Sequence, residues 1–102
     1  MIKHIVMWKL HGFAEGKSKA ENAAKAKQML EALNGKIPGL LKLEVGINST
    51  HSEGSSDLVL YSEFESTEAL ERYPDHPEHQ AVMPFMAAIR SERRVVDYAV
   101  EK

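Results

Sequence analysis

Residues 2–10 read IKHIVMWKL, and this stretch carries most of the information about how the chain folds. Its even-numbered side chains are His4 and four apolar groups, whereas its odd-numbered side chains combine Ile5 and Met7 with two lysines. Successive side chains of a β-strand point to opposite faces of the sheet, and β-branched and aromatic residues are enriched in strands. The alternation therefore predicts a strand with apolar groups on both faces, so that both faces need a cover.

An alanine-rich helix is predicted after this strand. Ser18 and Glu21 have the Ser-x-x-Glu spacing of a capping box, in which each side chain bonds a free backbone N–H at the helix start. The helix is expected to run to about Asn34, with Gly35 in the left-handed conformation that commonly follows a helix. Its core-facing residues recur at helical spacing: Ala23, Ala26, Leu30 and Leu33, with Met29 nearby.

Two strands that pair as a hairpin are predicted next. The first follows the Ile37-Pro38-Gly39 turn and alternates apolar with polar residues. Its apolar members are Leu41, Leu43, Val45 and Ile47. The second covers residues 58–64, and the loop between the strands is rich in serine and glycine. His51 lies in that loop among small polar residues, so we expect it to be solvated.

Two helices are predicted in the last third of the chain. Ser66 opens a short helix that stops at Pro74, because the residue before a proline avoids the α region. A second helix begins at Pro77, and Pro84 predicts a kink or a restart at Met83. Apolar residues of the two helices face inward: Ala69, Leu70 and Tyr73 in the first, and Val82, Phe85, Met86 and Ile89 in the second.

A final strand at residues 94–100 completes the order βαββαβ. This order predicts an α+β fold of the ferredoxin-like type, a four-stranded antiparallel sheet with helices on one face, in a single domain over residues 1–102. Because the helices of one chain cover only one face of the first strand, a second copy is expected to cover the other. The prediction is a homodimer, a dimeric α/β barrel, with a cavity between sheet and helices.

Composition narrows the classes of function. The formal net charge is −2, with 13 basic and 15 acidic residues interspersed, which gives no electrostatic reason to bind nucleic acid. The absence of cysteine excludes disulfides and thiol nucleophiles. The N-terminus has no signal-peptide layout, and no apolar run approaches the roughly eighteen residues of a membrane span, so a cytoplasmic location and no membrane association are expected.

Residues 73–79, Tyr-Pro-Asp-His-Pro-Glu-His, are the candidate site. Pro77 suits the first position of a helix, which makes His76 the expected N-cap and places His79 in the first turn. The partial positive charge at a helix N-terminus disfavours imidazolium, so a neutral His79 could act as a general base or contact a small molecule. Alternatively, both histidines are only capping groups. A metal site formed by His76 and His79 with their acidic neighbours is not expected, because the spacing matches no established ligand pattern.

Five motifs together resemble the stress-responsive dimeric α/β-barrel (Dabb) domain family, over nearly the whole chain. They are Ile2-Lys3-His4-Ile5-Val6, Ile37-Pro38-Gly39, Phe64-Glu65-Ser66, the Tyr73…His76-Pro77-x-His79 stretch and Val96-Asp97-Tyr98. The family lies within a wider group of dimeric ferredoxin-like barrels that includes small cofactor-free monooxygenases. The resemblance implies a homodimeric barrel without a cofactor, in a family associated with stress responses.

Plant members of the family include a polyketide cyclase, and the resemblance extends to part of its site. A histidine and a tyrosine matching His79 and Tyr73 carry out an aldol cyclisation there, and His4 matches a pocket histidine. A second pocket histidine corresponds to about Asp57, and a tyrosine of the first helix has no counterpart. The shared positions therefore imply a shared pocket more directly than a shared reaction.

Two functions follow from these residues. The first is binding of a small hydrophobic or aromatic ligand in a pocket near the His/Tyr cluster, with His4, Trp8 and His76 as ligand contacts. The alternative is a cofactor-free enzyme, similar to a polyketide cyclase or a monooxygenase, with His79 as general base and Tyr73 as the partner of the developing oxyanion. Trp8 could instead belong to the core or the dimer interface, since its large area fits either. His11, beside Gly12 at the end of the first strand, is expected to be solvated.

Overall fold

The computed structural model describes residues 1–101, which form six strands, three α-helices and one 3₁₀ helix. In chain order they are β1 (Ile2–Leu10), β2 (Phe13–Ala14), β3 (Lys17–Ser18), α1 (Lys19–Glu31), β4 (Leu40–Ile47), β5 (Leu58–Phe64), α2 (Thr67–Arg72), the 3₁₀ helix (Tyr73–Asp75), α3 (Pro77–Ile89) and β6 (Arg90–Ala99). The long strands and the helices follow the predicted order βαββαβ. The pairing of β2 with β3 into a two-stranded hairpin was not predicted.

The four long strands form one antiparallel sheet in the order β4-β5-β1-β6. The first strand lies in the centre, with His4 opposite Ser62 on one side and opposite Asp97 on the other. This strand order and the helices packed on one face are those of the ferredoxin-like α+β fold, as predicted. The register matters for function because it places residues from the two ends of the chain side by side.

The predicted helix starts are confirmed by their capping contacts. The Ser18 side chain accepts a hydrogen bond from the backbone N–H of Glu21, whose carboxylate in turn accepts from the Ser18 backbone, so the capping box is complete. His76 is the N-cap of α3, and its Nδ1 accepts from the backbone N–H of Glu78 at 3.1 Å. Pro77 follows at the first helical position, where its missing N–H removes no helical hydrogen bond.

The sequence predicted a kink or a restart of the last helix at Met83, and the restart is wrong. Helix α3 continues through Pro84 as one element, although proline cannot donate the usual helical hydrogen bond. Val82 and Met86, on either side of the proline, are both buried in the core. We attribute the continuity to this packing, because burying a large apolar side chain stabilises by roughly 1.5–3 kcal/mol, comparable with the roughly 3 kcal/mol cost of an interior proline.

Two strands differ from their sequence patterns, and for the last strand the predicted start is wrong. The apolar row of β4 is buried only in its middle, at Leu43 and Val45, whereas Leu41 and Ile47 are 51% and 48% exposed. An irregularity in the pairing between Leu40 and Lys42 shifts the alternation there. The last strand begins at Arg90 rather than at residue 94, because pairing with β1 extends it directly from the end of α3.

The hydrophobic core lies between the sheet and the helices. The even-numbered residues of β1 face this core, and the predicted helical stripe of α1 is buried against them. The opposite side of the sheet, here called the outer face, is covered by no helix within residues 1–101; its residues include Ile5, Met7, Val59 and Val96. Within residues 1–101, no helix is both long and apolar enough to cross a bilayer.

Candidate functional site

A pocket of about 760 Å³ opens between the inner face of the sheet, α2 and α3. Its wall is contributed by β1, α1, β5, the α2 to α3 segment and β6. The lining residues are Ile2, His4, Val6, Trp8, Leu30, Leu60, Thr67, Leu70, Glu71, Tyr73, Pro74, His79, Met83, Met86, Arg90, Arg93, Val95, Asp97, Tyr98 and Ala99. A volume of several hundred Å³ with mostly apolar walls and a few convergent polar groups is typical of small-molecule sites.

Tyr73 and His79 lie in contact on one side of the pocket. Their ring centroids are 4.2 Å apart, and the planes are tilted by 54°. The Nδ1–H of His79 donates to the backbone carbonyl oxygen of Pro74 at 3.3 Å. Because a carbonyl oxygen only accepts, this contact assigns the proton to Nδ1 and leaves Nε2 as the unprotonated, basic nitrogen of a neutral His79.

His4 faces Tyr73 from the sheet, with a centroid separation of 6.1 Å. Its Nδ1 lies 2.5 Å from a carboxylate oxygen of Asp97, a residue directly opposite it in the sheet. The carboxylate accepts the Nδ1–H of His4, so this nitrogen is engaged and Nε2 is the remaining ring nitrogen. His4, Tyr73, His79 and Asp97 form what we call the acid–base cluster.

Burial sets the protonation states in this cluster. Desolvation lowers the pKa of His79 below its ordinary value of 6.5, with smaller electrostatic contributions from His4, Arg93 and His76; the Pro74 hydrogen bond opposes this shift. Desolvation raises the pKa of Tyr73 to about 12. The Tyr73 hydroxyl forms no hydrogen bond with any other residue in the part of the chain described. At neutral pH the pair therefore combines an uncharged base with a phenolic O–H that is free to donate.

The neutral His79 was predicted, but its main physical cause was not. The expectation rested on the helix N-terminus, whereas burial of the imidazole is the largest contribution to the lower pKa. Burial depends on how α3 packs against Tyr73 and the sheet, which local sequence does not reveal.

The structure brings together four of the five predicted site residues. His4, Trp8, Tyr73 and His79 all line the pocket, whereas His76 does not and instead caps α3. Trp8 is 5% exposed and belongs equally to the core, and its indole N–H has no acceptor within residues 1–101.

The remaining residues singled out by sequence lie elsewhere. His11 and His51 are exposed, as predicted. Asp57 lies outside the pocket, where its carboxylate accepts from the backbone N–H of Leu10 at 2.8 Å and pairs with Lys19 at 3.3 Å. This carboxylate joins the end of β1 to the start of α1 and has a structural role.

Sequence reasoning missed several pocket residues that have clear periodicity. Met83 and Met86 follow the predicted His79 at i+4 and i+7 on α3, Arg90 begins β6 directly after that helix, and Arg93, Val95 and Asp97 alternate along β6. The spacing of three and four places the first set on one helix face, and the spacing of two places the second on one strand face. We call them the α3 row and the β6 row. The sequence contained both periodicities, but it did not show that this helix face and this strand face line the same pocket.

No group of three or more His, Cys, Asp or Glu side chains that could hold a metal ion occurs within residues 1–101. The acid–base cluster has one carboxylate and two imidazoles, but the Nδ1 atoms of both imidazoles are engaged with Asp97 and Pro74.

Solved structures with the same architecture are known. A dimeric protein of unknown function with a ferredoxin-like fold from Bacteroides fragilis is 33% identical to this chain, with 97% of this chain and 95% of that chain covered and a TM-score of 0.80. A Dabb family protein from Mesorhizobium loti is 21% identical over 99% of this chain and 97% of that chain, with a TM-score of 0.70. An antibiotic biosynthesis monooxygenase is 16% identical over 100% of both chains, also with a TM-score of 0.70.

At 16% and 21% identity the last two similarities concern the fold alone. No curated protein matches this sequence. The profile of one protein family, the stress responsive A/B barrel domain, matches residues 2–100, nearly the whole chain. The sequence motifs, the sheet order and this match agree, and the chain belongs to the stress responsive A/B barrel domain (Dabb) family.

Proposed function

We propose that this protein binds a small, largely apolar molecule, with an aromatic ring or an enolisable carbonyl group, in the pocket between α2, α3 and the sheet. The observation that carries the proposal is the convergence of the acid–base cluster on a largely apolar pocket of about 760 Å³. The free Tyr73 O–H and the basic Nε2 of His79 are a donor and an acceptor for the polar group of such a ligand. Apolar side chains of the wall would contact its hydrocarbon part.

Tryptophan fluorescence tests this proposal directly, because Trp8 is the chain's single tryptophan and lines the pocket. We expect titration with a panel of hydroxylated biphenyls and 1,3-diketones to change its emission in a saturable way. Val95→Phe adds a ring at a pocket position that is 47% exposed, so it should block binding without overfilling the core.

His51→Phe is the matched control for this variant, because it introduces the same ring on an exposed loop. It should leave binding unchanged. A panel without saturable binding, or equal binding by the Val95→Phe variant, would count against the pocket as the functional site.

We further propose that the protein functions as a homodimer joined through the outer face. Met7, Val96 and Tyr98 are 40%, 51% and 43% exposed, and they lie on neighbouring strands beside Ile5. An uncovered apolar sheet face of this kind is typical of an interaction surface. Its dimeric relative from Bacteroides fragilis supports self-association as the cover.

Sedimentation velocity at micromolar concentration tests the dimer. The wild type should sediment as a dimer, and Val96→Glu should shift it towards monomer because two like charges would face each other across a symmetric interface. His11→Glu, on an exposed loop, is the control and should remain dimeric. A monomeric wild type would refute the proposed assembly.

Proton abstraction next to a carbonyl is the second candidate function, favoured by the neutral, half-buried His79. Its Nε2 would take a proton from the α-carbon, and the electron pair would move to the carbonyl oxygen, to which Tyr73 donates its hydrogen bond. His4, held by Asp97, would orient the substrate. Trp8 packs in the core, which favours a structural role for it over a part in oxidising an aromatic substrate.

Solvent deuterium exchange into the α-position of a 1,3-diketone, followed by NMR, tests this chemistry. A positioned general base contributes on the order of 10²–10⁴ in rate, so His79→Ala should reduce protein-dependent exchange by that factor. His11→Ala, which removes an exposed histidine, is the control. Undiminished exchange in His79→Ala would exclude His79 as the base.

A further inference from the structure

Two guanidinium groups on the pocket wall are not used by the proposed function. Arg90 is partly buried at the junction of α3 and β6, and Arg93 is more exposed on β6. In the part of the chain that the structure describes, neither forms an ion pair or a side-chain hydrogen bond. Their neighbour Arg94 lies on the outer face and pairs with Glu92 at 3.5 Å. The pocket wall therefore carries two guanidinium groups that are not directly paired with a carboxylate.

These cations lie towards one end of an elongated pocket. From His79 to Ile89, the residue before Arg90, helix α3 rises roughly 15 Å at 1.5 Å per residue. The β6 row runs from Asp97 to Arg93, roughly 13 Å at about 3.3 Å per residue. Both rows start at the acid–base cluster and run towards the end of the sheet where Leu10 pairs with Arg90.

The middle of the pocket is apolar. Met83 and Met86 contribute thioethers from the α3 row, Val95 contributes a branched side chain from the β6 row, and Trp8 lies opposite Arg93 in the sheet. A long ligand would thus meet proton donors and acceptors at one end, an apolar surface in the middle and guanidinium groups at the other end.

We propose that the ligand of this pocket is a carboxylate, whose anionic group is bound by Arg93 together with Arg90 and whose carbonyl or phenolic end lies in the acid–base cluster. The inference rests on the proposed binding function and specifies the chemical class of its ligand. A guanidinium group presents paired N–H donors that match the two oxygens of a carboxylate, so the contact selects for charge and for shape.

A carboxylate fits the pocket better than a phosphate dianion. Glu71 and Asp97 line the same pocket, so the two arginines are matched by two acidic groups before a ligand binds. The cost of removing an ion from water rises steeply with its charge, so entry into this largely apolar pocket costs a monoanion less than a dianion. The charge of Arg93 contributes to the lower pKa of His79, so its field extends to the acid–base cluster.

Three probes that differ only at one end test the proposal: 4′-hydroxybiphenyl-4-carboxylate, the corresponding 4-carboxamide and the corresponding 4-phosphonate. Their affinities are measured by quenching of Trp8 and by calorimetry on the full-length protein. The carboxylate should bind at least tenfold more tightly than the carboxamide, because a hydrogen bond to a charged group is stronger than one to a neutral group. The phosphonate should bind more weakly than the carboxylate.

Arg93→Gln should remove this preference, because it should weaken binding of the carboxylate roughly tenfold or more and leave the affinity for the carboxamide unchanged. Arg93→Lys keeps the charge without the paired donors and should give an intermediate loss. Arg94→Gln is the matched control, since it removes the same group from the opposite face of the same strand, and it should bind all probes as the wild type does.

The outcomes separate the inference from the function on which it rests. Equal binding of carboxylate and carboxamide, or an Arg93→Gln variant that keeps the preference, overturns the carboxylate assignment but leaves the pocket as a binding site. Tighter binding of the phosphonate overturns it in favour of a phosphate-bearing ligand. If none of the probes binds, the proposed binding function fails, and the inference fails with it.

Discussion

Replacing Tyr73 with phenylalanine should change how the stability of the protein depends on pH. Burial raises the pKa of Tyr73 to about 12 from an ordinary value of 10.0, so the folded state holds this proton more strongly than the unfolded state. The contribution to stability is complete below pH 10 and is lost as the pH rises through 12. Linkage gives a decrease in the free energy of unfolding of about 1.4 kcal/mol at pH 11 and of about 2.7 kcal/mol once Tyr73 is ionised in both the folded and the unfolded state.

Urea unfolding of wild type and Tyr73→Phe at pH 8 and pH 11 measures this difference. Other groups also titrate over this range, but they are common to both proteins. The difference in unfolding free energy between wild type and variant therefore changes with pH only through Tyr73. We expect the difference in unfolding free energy to move by about 1.4 kcal/mol in favour of the variant at pH 11. Tyr98→Phe removes a hydroxyl from a ring that is 43% exposed and serves as the control.

Parallel pH dependence of wild type and Tyr73→Phe would refute this reasoning. It would mean that water reaches the Tyr73 hydroxyl freely in the folded state. The argument that Tyr73 remains a neutral hydrogen-bond donor because the pocket wall desolvates it would then fail, and so would its role beside His79.

Three further changes have expected outcomes. Burial lowers the pKa of His79, so the neutral imidazole contributes stability above pH 6.5 that is lost as the pH falls towards the lowered pKa. His79→Gln should abolish this loss of stability, measured by thermal unfolding between pH 7 and pH 5. A pH profile equal to that of the wild type would contradict the argument. At Gly39 φ is +82°, a left-handed conformation that costs a residue with a Cβ roughly 1–3 kcal/mol. Gly39→Ala should lower the free energy of unfolding by more than this, because the new Cβ would also lie 2.4 Å from the Ala69 Cβ. Gly35→Ala, with φ +80° and open space around the Cβ, is its control and should cost less in urea unfolding; equal costs would remove the role of the close contact. Ser18→Ala should lower the free energy of unfolding by about 1 kcal/mol, or the melting temperature by roughly 4–8 °C, because it breaks the capping box. An unchanged melting temperature would show that the cap contributes nothing to stability.

Local patterns predicted much of the fold correctly because their physical causes are local. The alternation in residues 2–10 reports the two faces of one strand, and the capping box needs only Ser18 and Glu21, three residues apart. The N-cap role of His76 follows in the same way from Pro77 beside it. The restart at Met83 was wrong because the continuity of α3 depends on packing on both sides of the proline, which a local rule does not include.

The candidate site shows the same division. The sequence by itself determined that Tyr73 and His79 lie close together, because they belong to one short segment. Only the tertiary structure brought His4 beside Asp97, 93 residues away, and placed Arg93 in the same pocket as the acid–base cluster. Those contacts depend on the antiparallel register of β1 with β6, and a register is decided by the packing of the whole sheet against its helices. Burial of His79 and Tyr73 arises from the same packing, and the protonation states of the site therefore belong to the fold rather than to the motif.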